Sequence, residues 1–433
     1  MDPTIVGIIG SVAMIVFIVL GVHIGTSMAI TGFLGMVALT NLDAAWGILQ
    51  TTPYSSMANY GLSVIVLFVL MGQLAYHSGL SYDMYRAAYT WLGHLPGGLA
   101  MSTIVACTGI GALCGSTTAT TATMGIVALP EMKKFGYQGG FSAATVACAG
   151  TLGTMVPPSV LLMLYGVMCS LSIGKLFSAV IIPGVSLMFA YIVVAYIMIK
   201  RRPELGPQGQ KYSWKERFEA LYHVKDLLLL IVIVIGGMLA GLFTVNEGGA
   251  MGVFGALIVA ALRRKLSVEM LKKALLDAGK TSAMIFMIII GAMIFNQFLA
   301  VSRLPGEMAS FFSDLPVHRN LVMVGMIIVY IFLGAIMDEI GMLLLTIPIF
   351  YPVIQALQFN PYWFGVILVL VMASGMICPP VGMNCFIIAG VDKSISLQTI
   401  YKGVWPYWFA LVAMMVLMFI IPELATFLPQ FLE

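Results

Sequence analysis

The stretch GALCGSTTATTATMGIVALPEMKKFGY (Gly111–Tyr137), taken together with GTLGTMVPPSVLLMLYG (Gly150–Gly166), decides how the rest of the chain is read. Its opening run, Gly115-Ser116-Thr117-Thr118-Ala119-Thr120-Thr121, is small and hydroxylated inside otherwise apolar sequence. At membrane depth such a polar tip is tolerated only where it is buried in protein or lines a cavity. The second stretch sets Pro157-Pro158 in the middle of a segment that otherwise reads as a spanning helix. Each proline lacks a backbone N–H, so the carbonyls four residues earlier, at Gly153 and Thr154, lose their helical donors. Freed carbonyls opposite a cluster of hydroxyls make an oxygen cage for a small hard cation, as discontinuous membrane helices do.

The pattern recurs. Gly334-Ala335-Ile336-Met337-Asp338-Glu339-Ile340-Gly341 is a second polar tip flanked by glycines, and it runs into Pro348 as the first runs into Pro130. Further on, ASGMICPPVGMN (Ala373–Asn384) repeats the Gly-x-x-x-Pro-Pro spacing, which by the same arithmetic frees the carbonyls of Gly375 and Met376. One element of this kind also fits a plain kinked helix. Two copies in matching positions of two halves point to a transport site between internal repeats.

Composition agrees. The chain is 61% hydrophobic and 9% charged, with a mean hydropathy of +1.03, which excludes a soluble domain. A spanning helix needs about 20 apolar residues, and there is room for roughly a dozen. The six cysteines (Cys107, Cys114, Cys148, Cys169, Cys378, Cys385) lie in apolar stretches without a C-x-x-C pair and read as small core residues. The five histidines fall in no metal spacing, and there is no Walker A loop and no G-x-S-x-G serine. A polytopic membrane enzyme is therefore a remote alternative, and neither a cofactor nor a nucleic-acid partner is expected. The N-terminus has no positive region and no small-residue cleavage site, so it reads as the first membrane helix.

The chain is expected to be an all-α polytopic membrane protein of two repeats. In residues 1–200, spans at 3–22, 24–39 and 60–76 (41–59 being a polar connection) precede an interfacial arm at 81–94. A re-entrant hairpin at 96–130, a broken helix at 139–170 and a span at 176–199 complete the repeat. The charged stretch 201–226 is the linker. In residues 227–433 the spans are 227–243, 248–262 and 281–300, with a basic connection at 263–280. An arm at 301–319, a hairpin at 320–352, a broken helix at 362–390 and a last span at 405–421 follow. With the linker in the cytoplasm, only Lys175, Arg303 and Arg319 fall outside, leaving 18 of the 21 basic residues inside. That bias puts both termini in the periplasm and gives the halves inverted topology, as alternating access requires.

On the GSTTAT tip running into PEMKKFGY, and on G-x-x-x-PPS and G-x-x-x-PPVGMN, the chain resembles the large membrane subunit of the tripartite ATP-independent periplasmic (TRAP) transporters, of the ion-transporter superfamily. The resemblance covers essentially all 433 residues. It implies an elevator-type, sodium-driven importer in the bacterial inner membrane, with no cofactor beyond the coupling Na+. It also implies a periplasmic substrate-binding protein that delivers substrate and a small four-helix membrane subunit. The substrate class implied is a small organic anion, a carboxylate or sulfonate. A stand-alone sodium/dicarboxylate symporter of the same superfamily is the alternative.

The expected first sodium site comprises Ser116, Thr120, Gly153, Val156 and Pro157; the second comprises Gly334, Asp338, Gly375, Cys378 and Val381. Candidate substrate contacts are Ser116, Thr117, Thr118, Ser159, Asp338, Glu339 and Asn384. Carboxylates at membrane depth are costly and functional by default, which singles out Asp338 and Glu339. The competing expectation is that one caps the following helix while the other faces water. Asn384 either caps its half-helix or contacts substrate. Cys378 stands where members of the family usually carry threonine, so the second site has either a carbonyl-only ligand there or a weaker build.

Overall fold

The computed structural model describes residues 2–432, and these are almost entirely helical. The first half contains α1 (Pro3–Val19), α2 (Ile24–Leu39), α3 (Leu42–Met57), α4 (Tyr60–His77) and α5 (Leu80–Leu92). A hairpin follows, formed by α6 (Gly98–Cys114) and α7 (Thr117–Lys134). Next come α8 (Gly139–Gly150), a 3-10 turn at Thr151–Gly153, α9 (Val160–Met168) and the long α10 (Ile173–Arg201). The second half runs through α11 (Trp214–Ile231), a π turn, α12 (Gly237–Leu239), α13 (Val245–Leu262), α14 (Val268–Ser302) and α15 (Leu304–Asp314). The second hairpin is α16 (Arg319–Gly334) and α17 (Glu339–Ala356). It is followed by α18 (Pro361–Gly375), α19 (Met383–Val391), α20 (Leu397–Ile420) and the short α21 (Glu423–Thr426).

Six of these helices are long and apolar enough to cross a membrane: α4, α10, α13, α14, α17 and α20. Shorter apolar helices, α1, α2, α6, α16 and α18, accompany them.

Two expectations about elements are corrected. Residues 41–59 are not an irregular connection: Asn41 Oδ1 accepts the Ala44 N–H at 2.8 Å and caps the 16-residue α3. From Val268 onward the basic stretch 263–280 and the span 281–300 are one helix, because Ser267 caps α14 and no proline interrupts its 35 residues. Its first turns are polar, carrying the Glu269–Lys273 pair at 2.8 Å, and its later turns are apolar. A change of solvent along a helix does not break it. The linker is helical in part as well, since a Ser213–Glu216 capping box starts α11 within it.

The helices pack as two groups. In one, α14 lies along α2 and α4, with α13 on the far side of α4 and α1 beside α2. Close approach is possible because the facing residue is small: a Cβ on Gly25 would stand 2.5 Å from Met287 O. In the other, the first hairpin packs on α8, α20 packs on α8 and α10, and α18 lies against α16 and α10. Hydroxyls in this second group are paired, Thr145 with Tyr407 at 2.9 Å and Thr151 with Tyr191 at 3.2 Å. Tyr165 O–H also donates to Pro361 O at 2.8 Å, joining the two halves of the chain.

Candidate substrate and ion site

The first tip forms because Gly115 takes a left-handed conformation (φ 61°) that ends α6. Ser116 then caps α7, its Oγ accepting the Ala119 N–H at 3.4 Å and lying 3.1 Å from Thr118 Oγ1. Thr120 O–H donates to Ser116 O at 2.8 Å. The tip is tied to its broken helix by the Val160 N–H, which donates to Gly115 O at 3.1 Å. Gly153 closes the contact: a Cβ there would stand 2.5 Å from both Ser116 O and Thr120 Oγ1. Ser116, Thr120 and Gly153 are thus brought together, while Ser159 is buried as the N-cap of α9. Among the described residues, no backbone donor reaches the carbonyls of Gly153 or Thr154.

The second tip is built alike but differs at its carbonyls. Asp338 caps α17, Oδ2 accepting from the Ile340 and Gly341 N–H groups at 3.1 and 3.3 Å. Gly375 meets Gly334 so closely that an added Cβ would lie 2.6 Å from Gly334 Cα. The carbonyls expected to be free are nevertheless filled: Gly375 O accepts from Cys378 N–H at 3.1 Å and Met376 O from Asn384 N–H at 3.0 Å. After Pro379-Pro380, Gly382 (φ 54°) caps α19, and a Cβ there would stand 3.1 Å from Cys378 O. Tyr401 O–H is shared between Pro380 O at 2.8 Å and Val381 O at 2.6 Å. A carbonyl has two lone pairs, so each retains one for an ion.

Two further corrections concern side chains. Asn384 does not cap its half-helix; Gly382 holds that position, and Asn384 Nδ2 donates to Ala147 O at 3.0 Å. Glu339 does not face bulk water: it is 4% exposed, and its Oε2 finds no partner among the described residues.

Both tips open on one cavity of about 700 Å³, walled on the opposite side by α1, α2, α4 and α14. Ser116, Thr118, Asp338 and Glu339 line it. Thr117, Thr120, Ser159 and Asn384 are buried outside its lining, and Gly153, Val156, Pro157, Gly334, Gly375, Cys378 and Val381 also lie off it. His23, Gln73 and Thr281 supply polar groups from the wall opposite the tips and were not singled out from the sequence. Gln73 had a readable signal, being a lone amide within the apolar α4. Five helices also begin at this cavity: α2 with Ile24, α7 with Thr118, α9 with Val160, α17 with Ile340 and α19 with Met383. Each start carries roughly half a positive charge, and the ends of α1 and α6, which reach the cavity at Ile18 and Cys114, roughly half a negative one each, so together they offset most of the charge of the two carboxylates.

The chain matches, over residues 11–424, the family model described as the tripartite ATP-independent periplasmic transporter, DctM component. The chain belongs to that family. The permease is 32% identical over 380 residues to a C4-dicarboxylate TRAP transporter large permease protein of Pseudomonas aeruginosa, covering 88% of each. It is 29% identical to a sialic acid TRAP transporter large permease protein of Vibrio cholerae, over 86% of this chain and 87% of that one. It is 30% identical to an isethionate TRAP transporter permease protein of Oleidesulfovibrio alaskensis, over 96% of this chain but only 64% of that longer one. Among solved structures it resembles the YdaH transporter of Alcanivorax borkumensis, with a TM-score of 0.64 at 14% identity and coverage of 88% and 89%. At that identity the likeness is one of fold. As a member of that family, the permease is a multi-pass inner-membrane protein and a transporter subunit.

Proposed function

We propose that this permease imports a small organic anion, a carboxylate or sulfonate, by a sodium-coupled elevator mechanism. The observation that carries the reading is the convergence of five helix starts and both polar tips on one cavity between two helix groups. Adding sodium beside the tips turns a site of near-zero charge positive, and an anion then fits it. In the first half the ion is held by the unclaimed carbonyls of Gly153 and Thr154 with the oxygens of Ser116 and Thr120. In the second half it uses the remaining lone pairs near Gly375, Cys378 and Val381, with Cys378 contributing only its carbonyl. Substrate rests on Ser116 and Thr118 from one tip and on the start of α17 from the other.

The moving unit in this reading is the group containing both hairpins and both broken helices; the α2–α4–α14 group is the scaffold. The halves are inverted repeats, and both termini lie in the periplasm, as the 18 inward basic residues favour. The named relatives handle a C4-dicarboxylate, sialic acid and isethionate, all organic anions, which supports the substrate class. A tripartite family favours a small membrane subunit and a periplasmic binding protein over the stand-alone symporter.

Reconstitution tests the reading. The permease alone in liposomes should transport little; adding the small subunit, the loaded binding protein and an inward sodium gradient should start uptake. Robust uptake by the permease alone, or uptake indifferent to sodium, overturns it.

A further inference from the structure

The corner where residues 202–213 fold back over α5 and α6 holds a charge that the transport site does not use. The fold-back is fixed by Gln208 Nε2, which donates to His94 O at 2.7 Å, and by Gly209 N–H, which donates to Gly93 O at 3.0 Å. Arg217, in the first turn of α11, is only 9% exposed. Its guanidinium stands 5.9 Å from the Trp91 ring and 5.1 Å from the Trp214 ring. One nitrogen, Nη2, donates to His94 Nδ1 at 3.2 Å, while the buried Nε has no partner among the described residues. No carboxylate of the described residues forms an ion pair with it. Glu216, its neighbour, is turned to Ser213, accepting from that residue's N–H and O–H at 2.7 Å each.

A buried guanidinium without a counter-charge is costly, and stacking on indole faces offsets only part of that cost. Arg217 lines a cavity of about 1010 Å³ with His94, Gln208, Lys211 and Ser213, and no aspartate or glutamate lines it. Its location identifies the missing partner. Trp214, Phe218 and Tyr222 project from α11 one turn apart, 65%, 61% and 64% exposed, and α11 becomes apolar from Leu227 onward. Exposed aromatics at the entry of an apolar helix mark the lipid headgroup level.

We propose that this cavity binds the phosphate of an anionic phospholipid headgroup, with Arg217 as the forked donor and Lys211 as the second cation. The lipid would hold residues 202–213 against the base of the first hairpin. Assigning it to the cytoplasmic leaflet rests on the orientation proposed above; the binding does not.

The test is thermal unfolding of the purified full chain in neutral detergent, titrated with dioleoylphosphatidylglycerol, dioleoylphosphatidylcholine or inorganic phosphate. The glycerol lipid should raise the unfolding midpoint saturably, and the choline lipid and inorganic phosphate should not. Lys211→Gln, at an exposed position that should fold normally, should weaken the apparent affinity about five-fold. Lys272→Gln, on an exposed face of α14, should leave it unchanged, and Arg217→Gln should abolish the response. If Arg217→Gln does not fold, the two lysine variants decide. Equal responses to both lipids, or equal effects of the two lysine variants, overturn the proposal. An equal response to inorganic phosphate reassigns the cavity to a free anion and overturns the lipid assignment. Because the readout is binding, a failure of the transport reading leaves this test intact.

Discussion

Gly153 is where the first tip touches its broken helix, and a single added methyl there should open the proposed ion site. A Cβ on Gly153 would stand 2.5 Å from both Ser116 O and Thr120 Oγ1. Unstrained contacts lie near about 3.5 Å, so the tip has to withdraw by about 1 Å. Ser116 O cannot swing aside, because it accepts from Thr120 N–H at 3.1 Å and Thr120 O–H at 2.8 Å within α7. Overpacking of this kind costs about 1–3 kcal/mol. Set against the ion-bound state, that cost corresponds to about a 5- to 150-fold loss of sodium affinity. The assay is thermal unfolding of the purified permease across a sodium chloride titration, with choline chloride holding ionic strength constant. A ligand bound only by the folded state stabilises it in proportion to the logarithm of its concentration over Kd, so the two proteins' midpoints separate by the affinity ratio. Gly325→Ala is the control: nothing lies within 4 Å of its added Cβ in α16, so it should be neutral or stabilising by up to about 1 kcal/mol. If Gly153→Ala keeps the wild-type sodium midpoint, Ser116, Thr120 and Gly153 do not share an ion.

Two further outcomes are expected. Asp338→Ala removes the cap of α17 and should lower stability by about 0.5–2 kcal/mol, whereas Asp338→Asn keeps a good cap and should preserve stability. Equal unfolding midpoints for the two variants would refute the capping role. Cysteines placed at Thr118 and Ile340 should be labelled from opposite sides of the membrane, the first from the cytoplasm in the inward-facing state and the second from the periplasm in the outward-facing state. Labelling of both from one side in every condition would exclude inverted repeats.

Much of this protein was legible as one-dimensional pattern, because the signals involved are local. A hydroxyl-rich tip, a proline pair four residues after a glycine, and apolar runs of membrane length each act within a turn or two of their own position. A carboxylate of the second tip as the cap of α17 belongs to this class, and the structure finds Asp338 in that place. The continuity of α14 was missed because hydropathy reports the surrounding solvent and not the backbone. A polar turn followed by an apolar one looks like a boundary even where Ser267 and the absence of proline keep one helix running.

The sequence by itself determined that the chain is a membrane protein with two polar tips and two proline-broken helices, since periodicity and missing backbone donors need no tertiary contact. Only the tertiary structure decided which oxygens remain unclaimed and what faces the cavity. Met376 O is taken by Asn384 N–H, Val381 O by Tyr401, and Asn384 itself by Ala147, 237 residues away in sequence. His23 at the cap of α2, Gln73 on α4 and Thr281 on α14 reach the same wall from three separate segments. Hydrogen-bond satisfaction and cavity lining depend on how distant segments meet, and no local spacing along the chain encodes that meeting.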